Sequence, residues 1–172
     1  MQEKGYIHIY TGNGKGKTTA ALGLTLRAAG AGKKVFVAQF VKGMAYSEVK
    51  VLQQMPSVQI KQYGHGCFIV KEPAQEDIDA AREGLAEVDA IIRSDAYDMV
   101  VLDEATIAIC YRLFSEDELM EVIGHKPART EIVITGRYAP PRLMEAADLV
   151  TEMREVKHYY QQGVEARKGI EC

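Results

Sequence analysis

The chain has 172 residues, 47% of them hydrophobic and 26% charged, with a formal net charge of -3. That length suits one unit over residues 1–172 with a single core, and the composition excludes disordered and collagen-like classes. The slight acidity provides no positive field to gather a nucleic acid, and the short apolar runs, interrupted by charge, argue against a membrane span.

Residues Met1 to Gly5 lack the apolar stretch of a secretory signal, so a cytoplasmic location is expected. Tyr6–Tyr10 then reads as a strand leading into a glycine-rich turn, and Lys17–Ala29, rich in alanine and leucine, as a helix closed near Gly30 and Gly32. Val35–Phe40 and Val58–Tyr63 follow as strands. Gln75–Arg93 places Ile78, Ala81, Leu85, Val88 and Ile92 at steps of three and four, one apolar stripe on a helix. Asp98–Leu102 is the next strand, and Ser115–Ile123 opens with a capping pattern in which Ser115 precedes Glu118 by three residues. Glu131–Thr135 and Leu149–Met153 complete the strands, with a short helix at Pro140–Ala147 between them. The remainder, Arg154–Cys172, carries no readable period. Strands alternating with helices predict a three-layer α/β/α fold of the P-loop NTPase kind around a mainly parallel sheet. Cys67, Cys110 and Cys172 are odd in number and widely spaced, which indicates neither a disulfide framework nor a zinc site.

The turn Thr11-Gly12-Asn13-Gly14-Lys15-Gly16-Lys17-Thr18-Thr19 joins strand to helix. Glycines there let backbone N–H groups converge on phosphate oxygens at the positive end of the following helix. Lys17 adds charge to the outer phosphates, and the Thr18 hydroxyl is placed to ligate magnesium, so Thr11 to Thr19 are expected to hold ATP. The sixth position after Gly12 is not the glycine that a dinucleotide fingerprint needs, whereas Gly16-Lys17-Thr18 opening a helix suits a P-loop. Thr11 stands where the full pattern has its first glycine.

An apolar strand ending in Asp103 and Glu104 has the form that brings carboxylates to a magnesium ion; the plainer use of Asp103 is to cap the next helix. Lys42 and Arg137 follow the second and fifth strands, at the carboxyl edge where α/β proteins bind ligands, and are candidate phosphate contacts or solvated loop charges. After the third strand, His65, Cys67, Phe68 and Ile69 form a loop without period that can face a flat apolar ligand; no second histidine accompanies His65 at metal-binding spacing.

Five motifs in order resemble the bacterial P-loop ATP:corrinoid adenosyltransferases: Thr11 to Thr19, Gln39-Phe40-Val41-Lys42-Gly43, Val100-Val101-Leu102-Asp103-Glu104, Ile134-Thr135-Gly136-Arg137, and Val156-Lys157-His158 through Gly163-Val164 to Gly169-Ile170. The resemblance implies that cobalt(I) of a reduced corrinoid attacks the 5′ carbon of ATP and triphosphate leaves. It assigns Gly12 to Thr18 to the triphosphate, with Lys17, Thr18 and Glu104 as the acting residues, and Thr18 and Glu104 to magnesium. It further implies a homodimer, a reductase or flavoprotein as electron donor, and an ATP orientation reversed from the common one, which suits Thr11. Family members can carry an N-terminal extension over the corrinoid, and a first strand so near Met1 implies a less enclosed corrinoid. They can also place Phe and Trp in the loop after the third strand; this chain has no Trp, and Phe68 takes that role. A kinase or ATPase cleaving the γ-phosphate, and a non-catalytic ATP-binding module, are the alternatives that the residues alone leave open.

Overall fold

Strands with β-branched cores and helix-length spacers have one economical arrangement, a parallel sheet with its crossovers packed on the faces. The computed structural model describes residues 4–44, 46–64 and 72–171. Its strands are β1 (Ile7–Thr11), β2 (Val35–Phe40), β3 (Val58–Tyr63), β4 (Met99–Asp103), β5 (Glu131–Thr135) and β6 (Leu149–Glu152). The helices are α1 (Lys17–Gly30), α2 (Ser47–Leu52), α3 (Gln75–Arg93), α4 (Ala105–Cys110), α5 (Glu116–Gly124) and α6 (Pro141–Ala146), with a 3-10 turn at Tyr159–Gln162. The strands pair in parallel in the order β3-β2-β4-β5-β1-β6. The three-layer α/β/α fold expected from the sequence is present. No helix among the described residues is long and apolar enough to cross a membrane.

Alternation along the strands divides the core into two layers. Phe36, Ala38, Phe40, Val100, Leu102, Ile132 and Ile134 pack against α3, α5 and their neighbours. Val35, Val37, Met99, Val101 and Val133 pack on the other face with Ala21 and Ala28 of α1 and Val49 and Leu52 of α2. On this second face the apolar columns end at the carboxyl edge in a polar row. Gln62 is in register with Gln39, Gln39 with Asp103, and Thr135 lies one step beyond the Leu102–Ile134 pair. The loop before α1 comes down on that row.

Boundaries differ from the sequence reading where side chains intervene. β4 lies one residue later than read, at Met99–Asp103, and the Asp98 carboxylate before it accepts the backbone N–H of Lys34 at 2.8 Å. The short helices α2 and α4 were not expected. α4 reads Ala-Thr-Ile-Ala-Ile-Cys, which looks like strand, but Glu104 before it adopts a left-handed backbone, φ 59°, and turns the chain into a helix.

Gly84 of α3 faces the buried Tyr63 ring, and a Cβ there would lie 2.4 Å from it. Tyr63 cannot step aside readily, since it stacks on Phe40 and donates to Glu87 at 2.9 Å. Although alanine favours helix, Gly84→Ala is expected to destabilise the protein by about 1–3 kcal/mol through overpacking. A thermal melt showing equal or higher stability would contradict this packing.

Candidate phosphate site

The loop between β1 and α1 is shaped for an anion. Gly16 has φ 117° and precedes α1 with no side chain capping the helix, so the first N–H groups of this 14-residue helix remain for an outside acceptor. Residues Asn13 to Thr19 line a cavity of about 730 Å³, together with Lys42, Glu104 and Arg137. Beyond the phosphate end the cavity runs between α1 and α2, where Leu22, Leu26, Val51 and Met55 make an apolar wall.

Asp103 is fully buried at the end of β4 and takes four donors. Thr18 Oγ1 at 2.8 Å and Thr135 Oγ1 at 2.7 Å reach one carboxylate oxygen; Lys42 Nζ at 2.8 Å and Gln39 Nε2 at 3.1 Å reach the other. Burial opposes its charge, but the Lys42 ammonium and these hydrogen bonds hold the carboxyl below its usual range. Lys42 is held above its ordinary value because Asp103 outweighs the burial that works against it. Gln62 Nε2 donates to Gln39 Oε1 at 3.1 Å and extends the row. Thr135 Oγ1 of β5 also accepts the Glu104 N–H at 3.0 Å, and Thr106 Oγ1 of α4 donates to the Arg137 backbone carbonyl at 2.6 Å, so the backbones of both residues are held.

Glu104 differs from its neighbour. Its side chain lines the cavity and takes no hydrogen bond among the described residues, and burial together with the charge on Asp103 pushes its pKa up. Lys17 is buried and donates to the Gly14 carbonyl at 2.8 Å; that burial lowers its pKa, while Glu104 draws it back up.

Thus the structure brings Lys17, Thr18, Glu104, Lys42 and Arg137 to one cavity. Asp103 sits behind Thr18 with both oxygens occupied, and caps no helix by its side chain. Thr11 and Gly12 bear on the segment after β6: the Met153 N–H donates to the Thr11 carbonyl at 2.8 Å, and a Cβ on Gly12 would lie 2.5 Å from the Met153 carbonyl. Phe68, with His65, Cys67 and Ile69, lies outside the described residues.

Sequence reasoning missed what the tail does. The Gly14 N–H donates to the Met153 carbonyl at 2.6 Å, and the Lys15 ammonium reaches the Ile170 carbonyl at 2.9 Å and the Glu171 carboxylate at 3.4 Å. His158, Gly169, Ile170 and Glu171 complete one side of the cavity. No hydropathy period marks these residues. Gln39 and Thr135 did leave a signal, as polar residues toward the carboxyl ends of the apolar runs Val35–Phe40 and Ile132–Thr135.

The sequence matches the family described as ATP:corrinoid adenosyltransferase BtuR/CobO/CobP over residues 3–172. A corrinoid adenosyltransferase of Escherichia coli is 37% identical over 171 residues, covering 99% of this chain and 87% of that protein. One of Pseudomonas aeruginosa is 37% identical over 171 residues, with 98% and 84% covered. The corrinoid adenosyltransferase CobA of Salmonella typhimurium is 35% identical over 171 residues, with 99% and 87% covered.

The raised pKa of Glu104 has a consequence for stability. Because the folded value exceeds the unfolded one, its contribution is full below about 4.3 and is lost as pH rises through the folded value. Glu104→Gln is therefore expected to raise the melting temperature at neutral pH in the absence of nucleotide, with the difference closing in acid. Scanning calorimetry across pH, without ATP or magnesium, checks the sign.

Proposed function

The chain belongs to the ATP:corrinoid adenosyltransferase family, and on that premise we propose that it transfers the 5′-deoxyadenosyl group of ATP to cobalt(I) of a reduced corrinoid. The observation that carries the reading is the convergence of the α1 N-terminus, Lys17, Thr18, Glu104 and Arg137 on one cavity that continues into an apolar wall. In this reaction the electron pair of cobalt(I) forms the cobalt–carbon bond, the bond from C5′ to the α-phosphate oxygen breaks, and its electrons leave on inorganic triphosphate. Since cobalt(I) is itself the nucleophile, the protein's work is to place C5′ and to stabilise the anion that departs.

The residues fit a magnesium ion. The Thr18 hydroxyl donates a hydrogen bond to Asp103 and keeps its lone pairs for a cation, Glu104 offers an unshared carboxylate, and an ammonium already rests beside Thr18 and Asp103. An oxygen donor set of this kind suits magnesium, whose charge would neutralise the triphosphate oxygens. Thr18 and Glu104 would hold it, with Asp103 orienting Thr18. Lys17 and the N–H groups at the start of α1 neutralise phosphate oxygens, and Arg137, fixed by Thr106, adds a further donor. We assign Phe68 to the corrinoid. A homodimer, a reductase or flavoprotein as electron donor, and a cytoplasmic location belong to the same proposal.

Lys17→Ala and Thr18→Ala are each expected to weaken MgATP binding by at least about tenfold, the loss of one charge-assisted contact. Calorimetric titration measures this, and unchanged affinity in both variants would remove the loop from the reaction. The product decides the chemistry. With MgATP and a chemically reduced corrinoid under anaerobic conditions, phosphorus resonances should show triphosphate appearing together with a cobalt–carbon bond. ADP and phosphate, formed as fast without corrinoid, would show a kinase or ATPase instead.

A further inference from the structure

The ammonium of Lys42 lies against the Thr18 hydroxyl on which the proposed magnesium site rests. Its Nζ lies 2.8 Å from Asp103 Oδ2 and 3.3 Å from Thr18 Oγ1, and sits 5.5 Å from the centre of the Tyr46 ring. Glu104 and Glu48 add attraction from two more directions. A buried carboxylate needs a positive charge nearby, and Lys42 supplies it. Placement is local in origin: Val41, with φ 63°, turns the chain off β2 immediately before Lys42, and its N–H is held by the Tyr63 carbonyl at 3.2 Å.

Lys17, the second lysine of the site and the more buried, stays on the Gly14 carbonyl within its own loop. The two lysines therefore begin from different places. A divalent ion on the Thr18 hydroxyl and an ammonium 3.3 Å from that same oxygen cannot both be held there, because like charges this close in a shielded pocket repel strongly. Lysine carries its charge on a flexible four-carbon stem and can leave without moving the backbone. The triphosphate gives it a new anion within the same cavity.

We propose that Lys42 is an exchangeable cation: its ammonium holds the metal position in the nucleotide-free protein and passes to the triphosphate when the metal–ATP complex enters. The exchange rests on the reading of the Thr18 pocket as the magnesium site. It makes the binding of metal and nucleotide cooperative, since a bare metal ion must expel a tethered charge that has nowhere else to go. It also keeps the Asp103 charge balanced in both states.

The test counts bound Mn2+ by electron paramagnetic resonance, without nucleotide and with ATP, in the wild type, Lys42→Met and Thr18→Ala. Lys42→Met should bind Mn2+ alone roughly tenfold more tightly or better, because a positive charge has left the site. Its Mn2+ affinity should then depend less on ATP than that of the wild type. Unchanged or weaker nucleotide-free binding overturns the exchange. If Lys42→Met does not fold by circular dichroism, Lys42→Gln is read by the same criterion. In the wild type, acylation of lysines followed by mass spectrometry should find Lys42 protected without metal and more reactive once Mn2+ alone is bound; persistent protection at saturating metal also overturns it. Binding of Mn2+ with ATP that survives Thr18→Ala would refute the metal site itself, a different failure from that of the exchange.

Discussion

A single buried anion organises the carboxyl edge of the sheet. Asp103 has no exposure, and an uncompensated carboxylate there would cost several kcal/mol, so four donors from β2, β5, α1 and the loop after β2 must arrive together. Each of those groups is thereby aimed: Thr18 with its lone pairs outward, Thr135 with its oxygen free for the Glu104 N–H, Lys42 across the mouth of the cavity. The site is preorganised because a fully buried carboxylate is met by donors from four separate parts of the chain.

The neighbouring acid obeys the opposite logic. Glu104 occupies a left-handed backbone position, is pushed toward its neutral form by burial and by Asp103, and gains no hydrogen bond among the described residues. Lys42, Lys17 and Arg137 attract its charge, but burial and Asp103 outweigh them. A left-handed backbone and a carboxylate without a hydrogen bond at one position thus stand beside a fully satisfied carboxylate at the next.

Much of this was legible in the residues. The strand, glycine-rich loop and helix were legible because their signals are local: glycines, Lys17 and Thr18 lie within one turn, and the strand before them and the helix after them have clear periods. The acidic pair was legible as a pair, but sequence could not divide its labour, since Asp103 and Glu104 are adjacent and only the strand register shows that one points into the polar row with Gln39 and Thr135 while the other lines the cavity. α4 was illegible because its β-branched residues favour strand and one φ angle overrides them. The tail was illegible for another reason: its structure comes from hydrogen bonds to the phosphate loop, from partners far away in the chain.

That distance sets an order of events as the chain is made. β2, β3 and β4 pair with one another and can associate as they emerge, but β1 lies between β5 and β6, so His8 must wait for Val133 on one side and Leu149 on the other. Gly14, in the middle of the phosphate loop, waits longer still for Met153. The first strand synthesised is thus among the last to be secured, and until then its apolar residues stand open to wrong pairings. A nucleotide cannot rescue this interval by binding early, because the loop that would grip it is held in shape by residues not yet translated.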